Sequence, residues 1–193
     1  MTRTALAGLA LLFIGDPSAS AQVNVPLPQI LAEAEQAIAS RNPGDAAMLL
    51  DLVLVRAGRG EALPAGLGLE RLRLVAATAH FQSGSYPRAQ AVAEELVAAR
   101  PTGLVLGEAR MIMGLSLALQ GNFTASVPVF AALEESPSHR DKARLYGAMA
   151  AQQAGQTEVA IEAYNRLLAS SPRDADWADA ALVLVSLHLE RKN

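Results

Sequence analysis

Three stretches of this chain repeat one pattern: QSGSYPRAQAVAEELVAARP (82–101), LQGNFTASVPVFAALEESP (119–137) and QAGQTEVAIEAYNRLLASSP (153–172). Each opens at a glycine, runs through an amphipathic segment and closes on a proline. The glycines, Gly84, Gly121 and Gly155, lie 37 and then 34 residues apart, a period that belongs to stacked helix-turn-helix units. Each glycine is followed by Tyr86, Phe123 or Thr157 and then by a small residue, Ala89, Ser126 or Ala160. The segments that precede the glycines, LERLRLVAATAHF, EARMIMGLSLAL and KARLYGAMAAQQA, carry Ala, Gly and Leu at helical spacing. Each unit is therefore two antiparallel helices joined by a tight turn.

The small residues explain how such pairs pack. Ala77, Gly114 and Gly147 or Ala148 fall where two helix axes come closest, and a larger side chain there would push them apart. A glycine inside a helix costs about 0.5–1 kcal/mol relative to alanine, so Gly114 and Gly147 make sense only where close approach returns more. The prolines Pro101, Pro137 and Pro172 end the units, and Pro128 is expected in the first turn of a helix beginning near Thr124 or Ala125.

In these residues, best in Glu108-Ala109-Arg110 through Gly114 to Gly121-Asn122-Phe123, the chain resembles the tetratricopeptide repeat family over residues 69–172. It departs from the family pattern at Arg73, Arg110 and Arg144, which stand where an aromatic is usual, and at Thr157, which replaces the turn aromatic. The resemblance implies an all-α fold, antiparallel helix pairs stacked in a right-handed solenoid whose concave groove binds a peptide or a partner helix. Upstream, residues 22–57 form a degenerate helix pair with its turn at Gly44. Residues 58–68, with Gly58, Gly60, Gly66, Gly68 and Pro64, form a loop, and residues 173–193 form a capping helix started by Asp174 or Asp176 and containing Trp177.

The N-terminus has the order of a secretory signal peptide: the charged start MTRT, the apolar run Ala5–Gly15, then Ala19-Ser20-Ala21 as a small-x-small cleavage site. Eleven apolar residues are too few to cross a bilayer, which needs about 20. Cleavage after Ala21 would start the mature chain at Gln22, and the chain is expected in the bacterial periplasm or cell envelope. The sequence has no cysteine, hence no disulfide or thiolate chemistry. A net charge of −3 with no run of Lys or Arg argues against nucleic acid as partner.

No constellation for catalysis is visible. His80, His139 and His188 are scattered, with no HExxH motif and no second ligand at the spacing of a helical zinc site. Gly58-Arg59-Gly60 lacks the strand and lysine of a phosphate loop, and Glu94-Glu95 and Glu134-Glu135 are neighbours that do not share a helical face. No enzyme activity, metal or cofactor is expected.

The expected role is that of an exported protein-protein interaction scaffold. The alternative is an accessory module of an envelope enzyme or an outer-membrane secretion or assembly complex. Aligning the units on the family's groove-lining first helix gives candidate contacts: Arg71, Leu74, Thr78, Phe81 and Gln82; Glu108, Met111 and Leu115; Lys142, Leu145, Met149 and Gln152. The Lys and Asn of the family's carboxylate clamp are absent, replaced by Leu74, Met111 and Leu145 and by Thr78, Leu115 and Met149. A Met-containing apolar groove adapts to a hydrophobic segment, although periodic Leu and Met equally describe a core. Arg73, Arg110 and Arg144 share one register and form a ladder, either packing stems paired with local carboxylates or a stripe for an anionic ligand. In the last helix Leu182-Val183-Leu184-Val185 sweeps apolar side chains around most of the circumference, so Val183 and Val185 mark a docking face for a second copy or another protein.

Overall fold

The computed structural model describes residues 25–170 and 175–191. The expected leader Met1–Ala21, Asp174 as a helix cap, the closing Pro172 and the terminal Lys192 lie outside them. Among the described residues there are nine helices and no strand: α1 Leu27–Ala39, α2 Pro43–Gly58, α3 Leu69–Gln82, α4 Tyr86–Ala98, α5 Gly103–Leu119, α6 Phe123–Leu133, α7 Arg140–Gln153, α8 Thr157–Ser170 and α9 Ala175–Glu190. Each helix packs on its neighbours in sequence. The further contacts join α3 with α5 and α5 with α7, first helix on first helix. The first helices of the units thus gather along one side of the array, and the second helices form the other.

The core is a chain of three adjoining clusters rather than one centre. The first joins α1 to α4 through Ile30, Leu50, Val53, Leu72 and Val92, and reaches Ile112 on α5. The second joins α5 to α7 around Phe130 and Leu133. The third joins α7, α8 and α9 around Tyr164, Leu167 and Leu187. That is the quasi-one-dimensional core of a repeat array. The small positions after each turn, Ala89, Ser126 and Ala160, are fully buried, as are Ala77 and Ala148. A Cβ on Gly114 would lie 2.8 Å from the Phe130 ring, and one on Gly147 would lie 3.2 Å from Phe130 Cβ. Phe130 on α6 is thus wedged between a glycine of its own unit and a glycine of the next.

The three regular turns share one geometry. Gly84, Gly121 and Gly155 have φ of 79°, 78° and 71°, and open space surrounds each. The glycine is needed for its left-handed backbone, not for room. In the first turn the N–H of Ser85 donates to the carbonyl of His80 at 2.9 Å and that of Gly84 to the carbonyl of Phe81 at 3.1 Å, the pair of hydrogen bonds that closes a helix C-terminus on a left-handed residue.

Two boundary expectations are corrected. The turn of the N-terminal pair is not at Gly44, which lies inside α2. Asn42 caps that helix, its side chain accepting the Asp45 N–H, and Pro43 takes the first helical position. The left-handed residue of this turn is Arg41, at φ 55°, with Asn42 N–H bonded to Ala37 O at 2.9 Å. For a non-glycine residue that conformation costs about 1–2 kcal/mol. The second correction concerns Pro128, which lies in the second turn of a helix that begins at Phe123. The turn at Gly121 fixes the start of α6 in the register of its sister units. The ring of Pro128 is exposed, so the carbonyl it leaves unbonded faces the solvent side.

Between the N-terminal pair and the regular array, α2 continues through Gly58 and the loop runs over 59–68. Arg56 ties it down, bonding Glu61 through two 2.6 Å contacts and the carbonyl of Val25 at 2.6 Å.

Candidate functional site

The side of the array lined by first helices contains a cleft of about 320 Å³. Ile38 comes from the end of α1, Arg41 from the turn that follows and Pro43 from the start of α2. Leu74, Val75, Thr78, Ala79 and Gln82 come from successive turns of α3, and Glu108 stands at the start of α5. The floor is apolar and the two charged residues stand apart, with no ion pair between Arg41 and Glu108. A larger depression of about 550 Å³ runs along α8 past Val159 and Arg166. It is lined by one helix and cannot hold a ligand from two sides.

The cleft brings together Leu74, Thr78, Gln82 and Glu108 of the residues picked from the sequence. Arg71 and Lys142 are exposed but do not line it. Phe81 is half-buried and packs its ring against Tyr86, centroids 5.6 Å apart. Met111 is only 8% exposed and belongs to the Phe130 cluster, with Leu115 packed beside it. Leu145 packs on the α8 cluster. Gln152 accepts the Tyr164 hydroxyl at 3.2 Å, and burial pushes that phenol above its ordinary pKa. Met149, 48% exposed, continues the register of Thr78 and Leu115 along the array. Arg41 and Pro43 escape the sequence reading because a turn placed at Gly44 puts them in the wrong element, and Ile38 because the candidate contacts come only from the regular units.

Glu108 owes its position to a second element. His139, buried at the start of α7, places Nε2 3.2 Å from Glu108 Oε1, while Nδ1 lies 3.1 Å from Ser136 Oγ and 3.0 Å from Ser138 Oγ. The ring fits because Gly107 has no side chain: a Cβ there would stand 2.6 Å from Nδ1. The other buried histidine, His80, has Nε2 3.1 Å from Asp51 Oδ1, but out of line for a hydrogen bond. Asp51 accepts instead from Arg88 at 3.1 and 3.2 Å, which holds that guanidinium above its ordinary pKa. Each buried histidine thus meets one carboxylate from another helix, and among the described residues no three such groups gather to hold a metal.

The three ladder arginines reach for the second helices. Arg73 lies 3.6 Å from Glu95, Arg110 donates to the Ala132 carbonyl at 3.0 Å near the end of α6, and Arg144 bonds Glu134 at 3.1 Å and the Ser170 hydroxyl. Their stems are largely covered where the structure gives a value, 25% exposed at Arg73 and 16% at Arg144.

On α9, Ala180 and Leu187 are buried and Val183 and Leu184 pack against the α8 cluster. Val183 therefore does not belong to an outward face. The exposed stripe is Leu182, Val185 and Leu189, 71%, 58% and 59% exposed, opposite the packed side. Leu182 falls within one residue of the repeat register of Thr78, Leu115 and Met149. Trp177 anchors the helix start by donating from Nε1 to the Leu168 carbonyl at 3.0 Å. Val183→Glu is expected to lower the melting temperature by several degrees, since a charge would sit in the α8 seam, whereas Val185→Glu leaves it within a degree or so. Equal melting of the two variants would contradict this placement.

A tetratricopeptide repeat family model matches residues 74–140 and 147–193. The chain belongs to the tetratricopeptide repeat family. Solved structures with the same fold include a double mutant of MamA RS-1, 17% identical with TM-score 0.68 over 86% of this chain and 85% of that one. MamA 41-end from Desulfovibrio magneticus RS-1 is 18% identical with TM-score 0.61 over 86% and 96%. A putative kinesin light chain of Podosopora anserina with nearly identical TPR-like repeats is 16% identical with TM-score 0.63 over 86% of this chain and 87% of that one. No curated protein matches in sequence. At these identities the structures speak for the fold alone. Family and fold together are those of a protein-protein interaction scaffold, generally non-catalytic. No helix among the described residues is long and apolar enough to cross a membrane.

Proposed function

We propose that this protein is an exported scaffold of the bacterial periplasm or cell envelope, non-catalytic in itself, that seats a segment of a partner protein against its first helices. The observation that carries the binding half is the cleft between α1, α3 and α5. It combines an apolar floor with separated charges, on the side of the array where successive units present the same register. From Thr78 in the cleft, Leu115, Met149 and Leu182 continue along the first helices beyond it, giving an apolar track along which a segment longer than the cleft can lie. The family's carboxylate clamp is missing from these positions, so affinity here rests on apolar burial along the track.

The export half rests on the leader order of residues 1–21 alone. Intact mass of the protein recovered from its native envelope tests it. The expected species begins at Gln22. A chain that still begins at Met1 overturns both the leader and the location.

A further inference from the structure

The four turns that join the two helices within a pair each place one residue in the left-handed conformation, and three of the four use glycine there: Gly84, Gly121 and Gly155. The fourth uses Arg41, at φ 55° and in the same pair of turn hydrogen bonds, N–H of Arg41 to Ile38 O and N–H of Asn42 to Ala37 O. Backbone geometry alone would favour glycine at this position as well. The exception is also the only one of the four turn residues that lines the cleft, beside Ile38, Pro43 and Leu74. Its side chain makes no ion pair and no side-chain hydrogen bond among the described residues. Glu108, the other charge at the cleft, is engaged by His139 at 3.2 Å. Arg100 shares the strained φ at the end of α4 but does not line the cleft.

We infer that Arg41 selects the partner: the cleft takes an acidic side chain adjacent to an apolar one, the carboxylate on the Arg41 guanidinium and the apolar group on Leu74 and Val75. The inference rests on the cleft being the partner site. A guanidinium offers a fork of donors matched to a carboxylate, and Arg41 is exposed, so it is open to a carboxylate from outside the chain. The chain as a whole carries −3, so overall charge would repel an acidic segment and the preference must be local. Glu108, which also lines the cleft and does not pair with Arg41, disfavours a second carboxylate beside it. Because the track continues toward α5 and α7, the acid is assigned to a side chain within the segment rather than to a chain terminus.

The probe is a randomised library of acetylated, amidated dodecapeptides selected on the full chain, with affinities read by fluorescence anisotropy. Selected peptides should carry Asp or Glu beside Leu, Ile, Val or Met. Replacing that acid with its amide should weaken binding about tenfold to the wild type and leave binding to Arg41→Gly unchanged. Arg41→Gly is the fold-preserving variant, since it installs the residue the three sister turns use, and its melting should not fall. Thr78→Trp, which fills the cleft, separates the two claims. If Thr78→Trp abolishes binding but Arg41→Gly keeps the acid preference, or if the selected peptides show no acid enrichment, Arg41 is not the selector and the cleft reading stands. Binding that survives Thr78→Trp, or no binding peptide at all, overturns both. A free terminal carboxylate that fully replaces the side-chain acid overturns the assignment to an internal residue.

Discussion

Gly114→Leu is expected to destabilise the array by more than about 3 kcal/mol and to lower its melting temperature by roughly 6–12 °C. The reason is local. Even a methyl group at Gly114 meets the Phe130 ring at 2.8 Å, and that residue, 1% exposed, has its Cβ against Gly147 and its ring packed on Tyr146 with centroids 5.9 Å apart, which leaves it little room to move. For Gly114→Ala the gain in helix propensity, about 1 kcal/mol, partly offsets the overpacking, so the leucine variant is the informative one. Phe130→Ala alone should cost about 3–5 kcal/mol by leaving a cavity. The double variant should then be less damaged than the sum of the singles, with a coupling of about 0.5–3 kcal/mol, because each change makes room for the other. Additive losses, read by thermal melting, would show that the glycine and the ring do not share one space.

The second large effect is expected at Gly107, where the added atom meets a different kind of neighbour. A Cβ would stand 2.6 Å from His139 Nδ1 and 3.2 Å from Ser136 Oγ, in the seam between the second and third regular units. His139 is fixed by Ser136, Ser138 and Glu108, so a methyl displaces the ring and breaks a hydrogen-bonded group rather than compressing apolar packing. Gly107→Ala should therefore cost about 1–3 kcal/mol despite its helix-propensity gain. It should also raise hydrogen exchange at the start of α7 before it affects α1 or α2, since in a repeat array damage stays near its seam. Uniform loss of protection along the chain would contradict that.

Gly107 and Gly114 differ in how plainly the sequence announces them. Gly114 stands in a column with Ala77 and Ala148, and the recurrence of small residues at one helical register is enough to place it at a close approach. Gly107 belongs to no such column. Its reason for being small is a histidine 32 residues away, contributed by a loop outside the helical periodicity. The same limit governs the cleft. Leu74, Thr78, Gln82 and Glu108 follow from repeat register. Ile38, Arg41 and Pro43 do not: Ile38 lies outside the regular units, and for the other two glycine was the only marker for a turn and this turn does without it. Asn42 and Pro43 were the legible alternative: a capping residue followed by proline marks a helix start as firmly as glycine marks a helix end. On α9 four consecutive apolar residues made Val183 and Val185 look alike, and only contact with α8 separates them.

The central claim is that a partner protein lies against the first helices and not the second. Site-specific photo-crosslinking in the native cell tests it, with a photoreactive phenylalanine placed in turn at Thr78 and Met149 on the first-helix track and at Glu94 and Ala131 on the second helices. All four variants should fold, since none of the positions is a fully buried one. The account predicts that Thr78 and Met149 give an adduct with the same partner, identified by mass spectrometry, and that Glu94 and Ala131 give none. Adducts from Glu94 or Ala131 without any from Thr78 would contradict it and move the binding surface to the opposite side of the array.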